Sequence, residues 1–198
     1  MQIIKKNRKN IKEITTALKN GAVLVCPTDT IYGFLADAEN KKAVDKIYKI
    51  KKRSKTKALP VFIKDVKMAK KLAEISEKPS FAKASAGKQE KILKKYWPGK
   101  FTFVLKRKPG IKLYGVEKDS IALRIPKYKF LNNLLKEINR PLVQTSVNIS
   151  GQPSLNKISD IINQLNKLDV LIIDGGDLKK SKPSKIIDLT NNNKILRK

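Results

Sequence analysis

Apolar positions along this chain switch between helical spacing and strand-like alternation, which predicts an α/β domain rather than a helical bundle. Ile11, Ile14, Ala17 and Leu18 form a helical stripe, and Gly21 is placed to stop it. A short strand is predicted over Ala22 to Cys26, running straight into Pro27-Thr28-Asp29-Thr30. Asn40 is positioned to cap a second helix that carries Ala43, Val44, Ile47 and Tyr48 on one side. A basic loop, Lys51 to Lys57, leads to a strand over Leu59 to Ile63, and Asp65 can cap a third helix with Val66, Ala69, Leu72 and Ala73.

The stretch Pro79 to Lys88 breaks the pattern with small residues and reads as a surface insertion. A basic helix then reaches Trp97-Pro98-Gly99, a turn that opens an alternating strand over Phe101 to Lys106. The strand Ser120 to Ile125 sets Arg124 on the opposite face from Ile121, Leu123 and Ile125. A helix around Phe130, Leu131, Leu134, Leu135 and Ile138 precedes a strand over Leu142 to Ser146. Extended runs at Val170 to Asp174 and Ile186 to Leu189 flank Gly175-Gly176-Asp177. With no internal repeat or linker, the expectation is a single domain over residues 1–198.

Composition narrows the chemistry. Apolar residues make up 40% of the chain, enough for a packed interior, and no apolar run approaches the roughly 20 residues of a bilayer span. With no signal-type apolar core near Met1 to Asn10, a cytoplasmic protein without a membrane partner is expected. Histidine is absent, which excludes Ser-His-Asp and Cys-His catalysis and imidazole-based zinc sites. The lone Cys26 sits beside an apolar run and reads as a buried thiol. A formal charge of +28, from 45 Lys+Arg against 17 Asp+Glu, suits nucleotides, tRNA or acidic membrane surfaces; compositional bias toward lysine accounts for it equally well.

Four clusters at strand ends hold the groups left to do chemistry. Pro27-Thr28-Asp29-Thr30-Ile31-Tyr32-Gly33 concentrates hydroxyls and backbone N–H groups, although an Asx-type turn explains it too. Residues 51–57 place five cations in seven positions, as a polyphosphate site or as a solvated loop. Arg124, among apolar neighbours, needs an anion: a ligand or a structural Asp or Glu. Gln144 to Ser154 packs hydroxyls and amides into a strand exit, as a nucleotide-wrapping loop or a structural turn.

In order and spacing these clusters resemble the YrdC-like threonylcarbamoyl-AMP synthase family. The resemblance runs from about Val23 to Arg197 through PTDTIYG at 27–33, Lys51 and Arg53, YWPGKFTFVL at 96–105, SIALRIP at 120–126, PLVQTSVNISGQPS at 141–154, IIDGG at 172–176 and SKIIDLT at 184–190. It implies a twisted open mixed sheet with flanking helices and a large basic cleft. It implies an enzyme that joins L-threonine, bicarbonate and ATP into threonylcarbamoyl-AMP and pyrophosphate, for modification of tRNA beside the anticodon. By matched position, Thr30, Phe62, Arg124 and Ser184 fall at the threonine site. Arg53, Lys57, Ser120, Gln144, Ser146, Asn148, Ser154 and Arg197 fall at the ATP site, and Lys51 and Arg53 take the catalytic positions. Mg²⁺ is expected on the triphosphate, with no metal site of the protein's own, and tRNA is met directly or through a downstream transferase.

The chain departs from the family pattern at several points. Phe62 replaces a common histidine, Leu35 a glycine, Ser54 a proline and Lys185 a threonine; the C-terminal domain of longer relatives is expected to be missing beyond Lys198. Two other readings stand beside the enzyme. One is a non-catalytic tRNA or double-stranded-RNA binder using the same cleft, and the other is a carbamoyl-adenylate enzyme fed by carbamoyl phosphate.

Overall fold

The computed structural model describes residues 1–75, 86–191 and 193–197, and all strands among them join one mixed sheet. In chain order these are β1 (Gln2–Lys5), β2 (Leu24–Cys26), β3 (Gly33–Asp37), β4 (Val61–Phe62), β5 (Phe101–Lys106), β6 (Ser120–Arg124), β7 (Leu142–Ser146), β8 (Leu171–Asp174), β9 (Lys185–Asp188) and β10 (Lys194–Arg197). Across the sheet they run β1-β8-β2-β3-β7-β4-β6-β5-β9-β10, so the sheet is open, with β1 and β10 at its edges. The pairs β1–β8, β2–β8, β4–β6 and β5–β9 are parallel and the rest antiparallel. The helices are α1 (Ile11–Lys19), α2 (Lys41–Lys51), α3 (Val66–Leu72), α4 (Ala86–Tyr96), α5 (Lys129–Ile138) and α6 (Ile158–Leu165).

Side-chain alternation along the central strands divides the interior into two apolar layers. Leu24, Cys26, Leu35, Phe62, Leu142, Leu171 and Ile173 face one layer, closed by the apolar stripes of α1 and α5. Val23, Val25, Phe34, Ala36, Val61, Val143 and Ile172 face the other, closed by α2, α3 and α6. Strands buried on both faces read as continuous apolar runs, which is why β2 and β8 carry so little polar punctuation. Cys26 is fully buried in the first layer, where desolvation pushes its thiol far above the ordinary range and leaves it unreactive.

Helix boundaries follow the local chemistry. Asn40 Oδ1 accepts from Ala43 N at 3.1 Å, and Asp65 Oδ1 accepts from Met68 N at 2.7 Å, so each acts as an N-cap for the helix that follows. Gly21, with φ of +92°, terminates the first helix by reversing the chain; Gly21 N and Ala22 N bond back to Leu18 O and Ala17 O. Asn40→Ala is expected to cost about 1 kcal/mol through the lost cap; an unchanged denaturation midpoint would contradict this.

Several expectations are corrected. β4 spans only Val61–Phe62, although Leu59 N and Ile63 N bond on to Gly115 O and Arg124 O beyond it. The strands β1, β3 and β10 and helix α6 were not expected. Of the stretch 79–88 read as an insertion, residues 79–85 lie outside the described residues, and Ala86 opens α4. Among the described residues, no helix is long and apolar enough to cross a membrane.

Candidate functional site

The motif after β2 folds on its own hydroxyls. Thr28 Oγ1 accepts from Thr30 N at 3.0 Å and Ile31 N at 3.2 Å and donates to Ile31 O at 2.7 Å. Thr30 Oγ1 lies 3.0 Å from Thr28 Oγ1, and either hydroxyl can donate across that contact. Tyr32 fixes the other end: its hydroxyl donates to Gly176 O at 2.7 Å and accepts from Gly175 N at 3.1 Å. Burial pushes that phenol up to about 12. Gly175 is required by packing, since a Cβ there would sit 2.7 Å from Pro27 Cγ.

These turns, the end of β7 and the β9–β10 edge enclose a cavity of about 370 Å³. Eight of the residues singled out by sequence line it: Thr30, Arg53, Arg124, Gln144, Ser146, Ser154, Ser184 and Arg197. Thr28, Gly33, Thr145 and Pro183 join them. Gly33 keeps the backbone of β3 close to β7, because a Cβ would meet Thr145 O at 3.3 Å. Gln144 and Ser146 lie two apart on β7 and so share a face.

Three arginines stand on this wall, and no Asp or Glu among the described residues lines it. Each is held by protein acceptors that leave part of its fork uncommitted. Arg53 donates from Nε to Lys57 O and from Nη2 to Ala58 O, both at 3.1 Å. Arg197 donates from Nε to Ser184 O at 2.8 Å and from Nη2 to Ser184 Oγ at 3.1 Å, while Thr102 Oγ1 lies 2.8 Å from the same hydroxyl. Burial lowers the basicity of Arg197, and the nearby charge of Arg124 lowers it further. Arginine starts high enough to remain cationic. An anion entering between these groups would relieve their mutual repulsion.

Arg124 is only 2% exposed. Its Nε donates to Gly99 O at 2.9 Å, its Nη2 pairs with Asp29 Oδ1 at 2.5 Å, and its guanidinium carbon lies 5.5 Å from the Phe62 ring centroid. Burial lowers its basicity, and Asp29 opposes that shift. The fork expected to grip a ligand carboxylate is thus directed at Asp29 and Gly99. Nη1 is the group with no hydrogen bond to a described residue. Asp29 Oδ2 also accepts from Lys127 N at 3.0 Å, so the carboxylate is used on both sides.

The other five candidates do not line the cavity. Phe62 is fully buried beneath Arg124. Lys57 is exposed, and its backbone carbonyl, rather than its ammonium, serves the loop by accepting from Arg53 and Tyr48. Ser120 starts β6 opposite Lys106, four residues from Arg124. Lys51 is 2% exposed, and its ammonium donates to Ser146 O at 2.7 Å, Asn148 O at 2.9 Å and Asn148 Oδ1 at 2.7 Å. Asn148 Oδ1 also accepts from Ser146 Oγ at 2.6 Å. Lys51 and Asn148 thereby set the shape of the loop that presents Ser146.

Burial, aided by the charge of Arg53, lowers Lys51 to about 8. An unfolded lysine titrates near about 10.4, so between the two values the unfolded chain holds the extra proton and stability rises with pH. Lys51→Met is expected to flatten that rise and to cost about 2–4 kcal/mol at neutral pH, because three buried acceptors lose the ammonium that serves them. Urea titrations from neutral pH to above 10 would show it; an unaltered profile would contradict the assignment.

Sequence reading missed Asp29 as the partner of Arg124, although it named the motif that contains Asp29 and left open a structural acid. It also missed Pro183, which has no side-chain chemistry to signal it.

Residues 16–198 match the Sua5/YciO/YrdC family profile, described as telomere recombination. A putative threonylcarbamoyl-AMP synthase of Methanocaldococcus jannaschii is 37% identical over 193 residues, covering 96% of this chain and 86% of the relative. The threonylcarbamoyl-AMP synthase of Bacillus subtilis is 31% identical over 86% of this chain and 47% of its own length. A crystal structure of P. abyssi Sua5 complexed with L-threonine superposes with a TM-score of 0.81 at 27% identity, covering 96% of this chain and 54% of that one. The chain thus spans about half the length of the latter two proteins. Its motifs, sheet and cavity, taken with these matches, establish that the chain belongs to the Sua5/YciO/YrdC family.

Proposed function

We propose that this protein is an L-threonylcarbamoyladenylate synthase that holds ATP against the carbamate of L-threonine in the cavity. The observation that carries the reading is the convergence of Arg53, Arg124 and Arg197 with Gln144, Ser146, Ser154, Ser184 and Thr30 around one space without a lining carboxylate. Its similarity to threonylcarbamoyl-AMP synthases favours an enzyme over a non-catalytic RNA binder.

In the proposed reaction the amine of L-threonine combines with bicarbonate, loses water and becomes a carbamate. A carbamate oxygen attacks the α-phosphorus of ATP, the bond from that phosphorus to the β-phosphate bridging oxygen breaks, and pyrophosphate leaves. No proton is taken from the nucleophile in the second step, so a chain without histidine suffices. What the step requires is fixed positive charge where phosphate oxygens gain negative charge. Arg53 and Arg197 supply it, each pre-oriented by its backbone acceptors. The amino acid sits toward Thr30, Arg124 and Ser184, where Thr30 offers an acceptor to its amine or hydroxyl and Arg124 Nη1 a donor to its carboxylate. Gln144, Ser146 and Ser154 face the nucleotide. Lys51 and Asn148 act through Ser146, while Phe62 acts through Arg124.

The cavity wall provides no carboxylate for a cation, and among the described residues no cluster of three or more Asp, Glu or Cys is placed to hold one. Mg²⁺ is proposed to enter on the triphosphate as part of the substrate. The threonylcarbamoyl group goes on to tRNA, directly or through a transferase, in the cytoplasm where both are found. Pyrophosphate release in reactions lacking one substrate at a time tests the proposal: release must require ATP, L-threonine and bicarbonate together. Release without threonine, or from carbamoyl phosphate instead of bicarbonate, would refute it.

A further inference from the structure

One row of residues crosses the β5–β9–β10 side of the sheet. The register sets Thr102 of β5 opposite Ile186 of β9, and Ile186 opposite Arg197 of β10. Arg197 holds that place because the ladder is irregular between Ile195 and Arg197: Leu196 is passed over, and Arg197 stands beside Ile186 on the cavity wall. Ser184, two residues before Ile186, falls on the same face. It ties the row together, since its hydroxyl lies 2.8 Å from Thr102 Oγ1 and accepts from Arg197 Nη2 at 3.1 Å. Ser184, Ile186 and Arg197 line the cavity, while Thr102 is fully buried and does not.

Thr102 has no part in the chemistry derived above. Its neighbours along β5, Phe101 and Phe103, pack on the other face in an apolar layer. A valine would fill the same space and avoid the desolvation of a hydroxyl. Among the described residues, the one hydrogen-bond partner of that hydroxyl is Ser184 Oγ, so the threonine acts on Ser184. A serine hydroxyl has one proton and two lone pairs. Arg197 already takes one lone pair of Ser184. Either hydroxyl can donate across the contact with Thr102, and the choice decides what the cavity meets. When Ser184 donates to Thr102, it can only accept from a ligand. When Thr102 donates, both lone pairs of Ser184 are filled and its proton is left for a ligand.

We propose that Thr102 is a positioning residue for amino-acid recognition: it donates to Ser184 Oγ, and Ser184 directs its own proton at the carboxylate of the bound amino acid, beside Arg124 Nη1. A carboxylate only accepts, so it fits a serine whose lone pairs are already filled. Held from behind by a buried partner, that serine loses little freedom when the ligand arrives. A phosphate oxygen would accept the same proton, and varying the two substrates separately distinguishes them. The inference rests on the adenylate reading and deepens it at the threonine end of the cavity.

Steady-state pyrophosphate release by the full chain, with L-threonine and ATP varied in turn, tests this in Thr102→Val and Thr102→Ser. Thr102→Val is expected to raise KM for L-threonine about five- to tenfold, the range for one lost hydrogen bond. KM for ATP should stay within about twofold, because Arg197 keeps its bond to Ser184 O at 2.8 Å. Urea denaturation should find Thr102→Val no less stable than the unaltered chain, since a buried hydroxyl is exchanged for a methyl. Thr102→Ser keeps the hydroxyl and loses the methyl. It should unfold at lower urea yet return KM for L-threonine to within about twofold of the unaltered value. Recognition then follows the hydroxyl while stability follows the methyl, a separation that a merely structural threonine does not give. An unchanged threonine KM in Thr102→Val, an equal rise for both substrates, a rise for ATP alone, or no rescue by Thr102→Ser would overturn the proposal. An unaltered chain that shows no threonine-dependent release refutes the adenylate reading and this inference together. Normal release by the unaltered chain, matched by Thr102→Val at every threonine concentration, refutes this inference alone.

Discussion

Arg53→Ala is expected to lower threonine-dependent pyrophosphate release by about 10²–10³-fold, the usual cost of removing one fixed donor from a site of developing charge. Arg53 lines the cavity and is only partly buried, and its internal bonds run to Lys57 O and Ala58 O in an adjacent loop. Losing two such bonds near the surface costs about 1–2 kcal/mol, so the variant should fold and retain cooperative unfolding. Arg53→Lys separates charge from geometry. Lysine keeps the cation but cannot reach both carbonyls and a phosphate with one planar group, so partial recovery, well short of full activity, is expected. Full turnover in Arg53→Ala would remove the phosphate role assigned to this residue.

The second large effect is at Arg124, where stability and activity are coupled. Removing the guanidinium in Arg124→Ala strands a buried acid, since the Asp29 side chain is only 7% exposed, and leaves Gly99 O without its donor. Loss of one member of such a pair costs about 3–5 kcal/mol. Arg124→Lys should be milder in stability, about 1–3 kcal/mol, because charge remains while one of the two acceptors goes unserved. It should still be severe in activity, because Arg124 also lines the cavity where threonine is proposed to sit and rests on Phe62. Calorimetric binding of threonine and chemical denaturation on the same preparations would report both. Wild-type values for each in Arg124→Lys would contradict the arrangement described above.

Most of the framework was legible because its physics is local. The stripes of the first two helices, the caps Asn40 and Asp65, and the alternating runs of β5 and β6 carry their signal within a few residues. The edge strands β1 and β10 were not legible: Gln2–Lys5 and Lys194–Arg197 each hold two apolar residues between polar ones, and the partner of β1 is β8, near the other end of the chain. β3 was obscured by the turn chemistry before it, although Phe34, Leu35 and Ala36 form a buried run between β2 and β7. Helix α6 was legible and overlooked, since Ile158, Ile161, Ile162 and Leu165 follow helical spacing.

The site divides in the same way. Motif order pointed to eight residues that the fold brings to one cavity, yet it could not show which donors the protein spends on itself. Lys51 sits in a cationic run, and only the tertiary fold reveals that three acceptors from the β7 exit surround its ammonium. Arg124 is similar: the alternation along β6 announced a buried arginine, while the identity of its acid, 95 residues away, was not encoded in any local spacing.

The account rests on an anionic nucleotide and an amino acid meeting in the arginine-lined cavity. Mass spectrometry after incubation with ATP, isotope-labelled bicarbonate and L-threonine tests this most directly. The account predicts a threonylcarbamoyl adenylate carrying the labelled carbon, with pyrophosphate in equal amount. Intact ATP, or AMP formed without labelled carbon attached through threonine, would contradict it.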